Sequence, residues 1–468
     1  MYLDDLAMPF GGKLLAENRW VKMARLMPWE MIEDIYAGSF KAENTEGRPP
    51  IPARIAFGAL YIKESENFPA GRTVEHIAEN AYMQYFLGLK EFHAEPLFDP
   101  SMMTWFSKRF SKEDIARINE EIFRRTLLPK DDPPSDGGGS GGNKGILVLD
   151  ATVAPSDARF PTDVSLLNEC RENTEKLIDK VWEQSERKGH KTAYNRNRAH
   201  KRYLKYAKRR KASRAQTRQA VSEQLEYVEK NLDTLENLMK QAGENALTGR
   251  QKARLGTIRT VAGQQKQHLD DPKAPIPNRI VNLRQPHVRP IVRGKAGAPV
   301  EFGQKLAFSV VDGYTFIDVQ SWDNFAEGIT LQASAEKYRQ RHGVYPEAIL
   351  ADQTYRNRAN RAFCKENGIR LSGPCLGRPK AAELEADKDQ AYRDNCDRNI
   401  VESRNGISKR RYGLDRILAW LPQTGESEAA MNVLCMNVAH VLRVLLRILR
   451  RWFVAARFDG PFLCCAAR

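Results

Sequence analysis

The chain has few of the features that mark export, disulfide bonding or a zinc site. Its 468 residues include only seven cysteines, and these form no C-x-x-C pair and no repeated spacing. This pattern predicts ordinary reduced thiols, without a disulfide framework or a zinc centre. The first residues have neither a basic leader nor an apolar core, so no secretory signal is predicted and we expect a cytoplasmic protein.

A long uninterrupted hydrophobic run is also missing. The most apolar stretch, 433–453, is interrupted by His440, Arg443, Arg447, Arg450 and Arg451. These charges argue against a membrane span. The stretch instead predicts a cationic amphipathic helix within 426–468, with a role at a membrane surface as the less favoured alternative.

Positive charge, by contrast, is abundant. Lys and Arg number 74 against 59 Asp and Glu, which gives a formal net charge of +15. Such an excess indicates a polyanionic partner, with nucleic acid favoured over an acidic membrane surface. The length is sufficient for two or three domains, each with its own core.

The N-terminal part, 1–130, is predicted to be an all-α domain. Apolar residues recur at spacings of three and four, as in Met102, Phe106 and Phe110, and Ser111 begins a helix with acids in its first turn. Several short helices in a basic protein can present one to a DNA groove, although a plain packing domain remains open. A Gly-rich linker is predicted to follow at 131–145.

Long charged helices are predicted within 165–279. Leu167 to Val181 and Val221 to Met239 carry apolar residues at helical spacing, which indicates an antiparallel helical hairpin. A dense basic stretch joins the two helices, and we interpret it as a DNA-phosphate surface, with a solvated face as the alternative. Its candidate DNA-binding residues are Lys201, Arg202, Lys205, Lys208, Arg209, Arg210 and Lys211.

The region 146–425, which this hairpin interrupts, is predicted to be an α/β domain. Asp312-Gly313 lies between two β-prone runs and has the turn chemistry of a hairpin. Helices are expected at about 331–342 and 357–367, and short strands before Asp352 and at 369–371. Hairpin strands followed by strand-helix alternation predict a mixed sheet with flanking helices, as in the ribonuclease H-like architecture.

Two apolar runs each stop on an aspartate, at Asp150 and at Asp352. A buried strand cannot hold an unpaired carboxylate, so each acid is expected where its strand leaves the core. Glu402, on a predicted helix, is a candidate third acid. Three converging carboxylates would suit two Mg²⁺ ions and hydrolysis of a phosphodiester.

Helical spacing puts Arg398, Glu402 and Lys409 on one stripe, which Arg410 and Arg411 extend. This stripe could hold a metal and a DNA phosphate together. The alternatives are an ordinary surface pair between Arg398 and Glu402 and strand-end caps at the aspartates. Other acids occupy similar settings and remain open as ligands: Asp157, Asp312, Asp318, Asp323 and Glu347.

These motifs resemble those of bacterial insertion-sequence transposases of the DDE type, in the insertion-sequence four/five superfamily. The family's third-acid helix carries tyrosine, arginine, glutamate and lysine at a spacing that Arg398, Glu402 and Lys409 match, whereas Asn395 occupies the tyrosine position. The segments 285–295 and 371–379 are also similar. At the N-terminus, 48–52 through 98–101 resembles the helical domain that precedes the catalytic domain in these enzymes.

The resemblance implies that Asp150, Asp352 and Glu402 are a catalytic triad that uses Mg²⁺ or Mn²⁺. Such an enzyme cuts double-stranded DNA at terminal inverted repeats and joins the 3′ ends to target DNA. Arg398 and Lys409 would contact DNA near the cut. We expect a homodimer on DNA ends and a location at the bacterial nucleoid. The alternatives are a decayed, non-catalytic DNA-binding protein and a structure-selective nuclease.

Overall fold

The computed structural model describes residues 2–3, 12–40, 49–127, 143–184, 195–243, 246–295, 298–373 and 383–458. Most of the predicted linker, 131–142, and the 185–194 part of the basic stretch lie outside these residues. The chain divides into two compact units. The first contains Met1–Pro155, Lys305–Ser321 and Phe325–Arg468, and the second contains Ser156–Gln304 and Trp322–Asn324.

In the ranges given above, the N-terminal part of the first unit has seven helices and one short strand pair. Its core includes Trp20, Phe57, Phe86, Phe106 and Ile118, which confirms the helical spacing read from the sequence. The elements are β1 (Tyr2–Leu3), β2 (Leu14–Leu15), α1 (Arg19–Leu26), α2 (Trp29–Gly38), α3 (Ala53–Glu66), α4 (Ala70–Glu79), α5 (Ala81–Phe86), α6 (Met102–Ser107) and α7 (Lys112–Leu127).

The start of α7 shows how local chemistry fixes a boundary. The Ser111 hydroxyl accepts a hydrogen bond from the backbone N–H of Asp114 at 3.1 Å, and the Asp114 carboxylate accepts from the Ser111 backbone at 3.0 Å. This reciprocal pair satisfies two backbone N–H groups that the helix cannot. The predicted helix start is therefore confirmed.

Strand β3 (Ile146–Pro155) follows in the first unit. It begins at the predicted residue but is ten residues long, so the prediction that the strand ends at Asp150 was wrong. The reason is that Ala151, Val153 and Ala154 are buried and extend the strand beyond the acid.

Among its described residues, the second unit contains four helices, and apolar residues hold them together. Leu167, Cys170, Val221 and Val228 share one cluster, and Leu177, Val181 and Leu235 share another, which confirms the predicted seam. The helices are α8 (Asp163–Gln184), α9 (Arg196–Ala207), α10 (Arg214–Ala242) and α11 (Gly249–Asp270). The basic stretch was predicted only as a connection, yet part of it forms α9, and α11 packs against both seam helices.

Strand β4 (Arg289–Lys295) pairs antiparallel with the first part of β5 (Ala298–Val311). The rest of β5 belongs to the first unit and pairs antiparallel with β6 (Tyr314–Ser321). Asp312 and Gly313 join them with φ of 50° and 83°. Two successive positive φ values are those of a type I′ turn, so the predicted hairpin is confirmed.

The first unit continues with α12 (Leu331–His342), β7 (Ala348–Leu350), α13 (Arg358–Glu366) and β8 (Arg370–Leu371), close to the predicted positions. In the sheet, β3 lies between β5 and β7, and β8 follows β7. The β3–β7 and β7–β8 pairs are parallel, whereas β5–β6 is antiparallel. The sheet is therefore mixed, as predicted.

Two long helices complete the first unit, α14 (Glu383–Tyr412) and α15 (Pro422–Phe458). Residues 429–438 of α15 are all buried, and Leu434, Met436 and Val438 join the core of the N-terminal helices. The amphipathic character predicted for 426–468 does not describe this stretch, because its polar residues Asn432 and Asn437 are buried too. Among the described residues, no helix is long and apolar enough to cross a membrane.

Candidate active site at the sheet and helix α14

The two aspartates lie on the same face of the sheet. Val148 and Leu350 belong to the hydrophobic cluster that contains Val401 of α14, whereas Leu147, Leu149 and Ile349 pack in a different cluster. Because side chains alternate along a strand, Asp150 follows Val148 and Asp352 follows Leu350 onto the face toward α14.

Each acid comes two residues after a paired position of β3 and β7. Ile146 pairs with Ala348 and Val148 with Leu350, and two further residues along each chain lead to Asp150 and Asp352. Strand β7 ends at Leu350, so Asp150 has no paired strand residue from β7 beside it. Asp150 is half-buried.

Helix α14 contacts both acids. The Asn405 amide Nδ2 donates to the Asp150 Oδ2 at 2.7 Å, and the Arg398 guanidinium forms an ion pair with the Asp352 carboxylate. Arg398 also lies 4.0 Å from the Glu402 carboxylate. Arg398, Val401 and Asn405 recur at spacings of three and four, so one face of α14 serves both strands. The side chain of Glu402 is 64% exposed at the border of this face.

A second ion pair ties α14 to the edge of the sheet. Arg370 of β8 donates to both oxygens of Asp394, at 2.6 and 2.9 Å, and Gln390 donates to the same carboxylate at 2.9 Å. Burial raises the pKa of Asp394, but the hydrogen bonds from Arg370 and Gln390 outweigh it, so the net pKa is lowered. The Asp394 carboxylate therefore stays ionised and holds this part of α14 against β8.

Tyr355 lies at the face of the sheet that is turned away from α14. Its side chain is fully buried in the cluster that contains Leu147, Leu149 and Ile349. Burial raises the pKa of its hydroxyl, and the carboxylates of Glu327 and Asp150 raise it further. Tyr355 therefore remains a neutral phenol. Arg398 supplies the positive charge beside Asp352.

The remaining residues of the predicted stripe are more dispersed. Lys409 is half-buried, whereas Arg410 and Arg411 are exposed. Arg410 donates to the backbone carbonyl of Gly406 at 3.2 Å, and Arg411 lies over the ring of Tyr412. Lys409, Arg410 and Arg411 all belong to α14, and the two exposed guanidinium groups are accessible to an anion.

The alternative acids have other surroundings. Asp318 is buried beside Arg341 at 3.5 Å, and Asp323 is exposed with Arg289 at 3.6 Å. Asp312 forms the hairpin turn.

The candidate DNA-phosphate residues at 201–211 belong to the second unit. Arg202 lies 3.6 Å from Glu223, so its charge is partly compensated. The other six side chains are exposed: Lys201, Lys205, Lys208, Arg209, Arg210 and Lys211. They extend from α9 into the segment before α10, so this surface stays strongly positive.

The carboxylates are not gathered into a closed ligand set. Within the described ranges, no group of three or more His, Cys, Asp or Glu side chains could hold a metal ion. Arg398, which contacts both Asp352 and Glu402, accounts for part of this separation. The donors present are carboxylate and amide oxygens, the type that Mg²⁺ and Mn²⁺ prefer.

The sequence-based prediction named the three acids and Arg398 but gave Asn405 and Asp394 no role. A signal for Asn405 was present, because it lies seven residues after Arg398 and thus on the same helix face. Asp394 could not be found this way, since its partner Arg370 comes from a two-residue strand.

Two protein-family models match the chain. The model described as Transposase DDE domain matches residues 349–439, and the model described as Transposase domain (DUF772) matches residues 10–109. The first covers Asp352, Arg398, Glu402 and Asn405, whereas Asp150 lies ahead of it. No curated protein and no solved structure matches the chain. The two matches indicate a DDE-type insertion-sequence transposase.

Proposed function

We propose that this transposase cleaves DNA at the terminal inverted repeats of an insertion sequence and joins the 3′ ends to target DNA. Asp150, Asp352 and Glu402 would be the catalytic carboxylates. One observation carries the proposal: helix α14 contacts both aspartates, Asp150 through Asn405 and Asp352 through Arg398. We also infer a ribonuclease H-like catalytic domain, since the mixed sheet with flanking helices suits it.

The site would hold Mg²⁺ or Mn²⁺, and we propose two ions. Asp150 and Asp352 would be the central ligands and Glu402 the third, because their oxygens suit a hard cation. When bound, such ions supply an activated water and neutralise charge on the phosphate. Arg398 would have to leave Asp352 for the carboxylates to bind metal, and its guanidinium would then be available to a DNA phosphate.

The protein's own residues would position the carboxylates and the DNA. Asn405 uses one lone pair of the Asp150 carboxylate and so orients the others away from α14. Arg398, Lys409, Arg410 and Arg411 would bind phosphates next to the cut. The exposed basic residues at 201–211 would bind DNA further along, with an affinity that falls as salt rises.

We propose the domain roles that follow from the sequence. Residues 1–130 would bind DNA, 131–145 would act as a linker, and 146–425 would be catalytic, interrupted by the basic insertion 165–279. A homodimer would bring two DNA ends together, as joining requires. Crosslinking with and without end DNA tests this point, and monomers under both conditions would contradict it.

A nicking assay tests the catalytic assignment. Plasmid DNA that carries the element ends is incubated with Mg²⁺ and with wild type, Asp150→Asn, Glu402→Gln or the control Asp157→Asn. We expect metal-dependent nicking and joined products from wild type and the control, and a loss of about 100-fold or more in the other two variants.

The two rival functions give different results in the same assay. A wild-type protein that binds DNA but never nicks it would favour a non-catalytic DNA-binding protein. Cleavage of branched DNA without joined products would favour a structure-selective nuclease. Loss of nicking in Asp157→Asn together with full activity in Asp150→Asn would contradict the choice of acids.

A further inference from the structure

A cavity unrelated to the carboxylate site lies within the first unit. It encloses about 400 Å³ between α3, α6, the segment 418–421 and the start of α15. Its inner wall is apolar and includes Leu60, Met103, Phe110 and Met431. This volume lies within the range of pockets that bind small organic molecules.

Three ionisable side chains line the cavity: Lys63, Glu64 and Glu428. The Lys63 ammonium pairs with the Glu64 Oε1, and both side chains are mostly buried, at 17% and 9% exposure. Both oxygens of Glu428 accept backbone hydrogen bonds, from Leu418 at 3.0 Å and Ala419 at 2.8 Å. The second oxygen of Glu64 has no partner among the residues that the structure describes.

The ionisable groups of the lining are therefore two carboxylates and one ammonium. Burial raises the pKa of Glu64 to about 7, and the Glu428 carboxylate adds to the rise while Lys63 opposes it. The lining has one more carboxylate than ammonium, and a bound cation would balance that formal charge.

The rim adds apolar surface. Leu418, Trp420 and Leu421 are 43%, 54% and 46% exposed, which is unusual for three large apolar side chains in one short segment. Trp420 lines the opening, so its fluorescence should respond when the cavity is filled.

We propose that this cavity binds a small amphipathic organic cation, with an ammonium group beside Glu64 and an apolar body against Leu60, Met103 and Phe110. The charge of the lining selects a cation over an anion, and the wall selects an alkyl or aryl body over a bare ion. The proposal is independent of the catalytic assignment.

Titrations of the full chain with three probes of equal length test it, by Trp fluorescence and by thermal unfolding. We expect saturable binding of n-hexylammonium with a rise in Tm, binding of n-hexanol at least tenfold weaker, and no binding of hexanoate. Hexanol that binds as tightly as hexylammonium, or hexylammonium that does not saturate, would overturn the proposal.

Variants locate the binding site. Glu64→Gln should weaken hexylammonium at least tenfold, whereas Glu66→Gln, two residues away on α3 and outside the lining, should leave it unchanged. Thr104→Phe, at an exposed position of the rim, should abolish binding with an unchanged circular dichroism spectrum. Equal effects of the two glutamine variants, or full binding by a folded Thr104→Phe, would contradict the assignment.

Discussion

The hydrogen bond from Asn405 to Asp150 can be removed without changing a charge. Asn405→Leu keeps a similar side-chain volume on α14 but has no amide to donate to the Asp150 carboxylate, which accepts at 2.7 Å. If Asn405 holds this carboxylate in the orientation that binds metal, nicking should slow and should need more Mn²⁺. Asn405→Asp should act more strongly, because it places a second carboxylate against the first.

The expected size follows from the burial of the pair. A hydrogen bond to a charged group contributes about 1.5–3 kcal/mol, and the lower value applies here because both side chains are only half-buried. A loss of about 1.5 kcal/mol in the transition state corresponds to roughly a tenfold slower reaction. Part of the same energy should appear as lower stability in urea, since the bond also joins α14 to β3.

The assay compares nicking rates over a Mn²⁺ titration for wild type, the two Asn405 variants and Asn399→Leu. Asn399 is exposed on the same helix and controls for the helix propensity of the substitution. An Asn405→Leu protein with wild-type rate and wild-type Mn²⁺ dependence would refute the role of this hydrogen bond. A wild type that does not nick at all would instead refute the proposed function.

Three further predictions concern charge. Arg398→Gln should bind Mn²⁺ several-fold more tightly by calorimetry, because the guanidinium no longer occupies Asp352, yet it should nick DNA more slowly; unchanged Mn²⁺ affinity would contradict this. Asp394→Asn should lower the free energy of unfolding in urea by about 1–2 kcal/mol at pH 7, given that Arg370 is 41% exposed. Because the pKa of Asp394 is lowered on folding, this stabilisation is present above the unfolded pKa and is lost as pH falls through the folded one, so the difference between the proteins should shrink below about pH 4. Replacing 208–211 with serines should reduce the slope of log affinity against log salt by about three to four in DNA-binding titrations, and an unchanged slope would exclude phosphate contacts there.

The fold was predictable where local signals agree with burial. The Asp312-Gly313 turn, the helix at 331–342 and the apolar seam between α8 and α10 all depend on short-range spacing, and all are confirmed. The length of β3 was not predictable in this way. An acid within an apolar run marks either a strand end or a gap in the neighbouring strand, and only the pairing partner distinguishes the two cases.

The burial of α15 was missed for a related reason. The arginines of α15 begin at Arg443, after the buried run 429–438. The hydrophobicity of the whole segment therefore averages a buried part with a charged part. Amphipathic spacing assumes that one helix face meets solvent. Here α15 packs against α3, α7 and β6 at once, so the buried half has no such face.

The shortness of β7 links these observations to the site. By the same register, a β7 that continued would pair position 352 with Asp150. Since β7 ends at Leu350 and the Ala351 N–H turns to the Ser372 hydroxyl at 3.1 Å, the chain leaves the sheet one residue before Asp352. Asp150 thus lies within a long strand and Asp352 just after a short one, and α14 contacts both while its Val401 packs in the cluster of Val148 and Leu350.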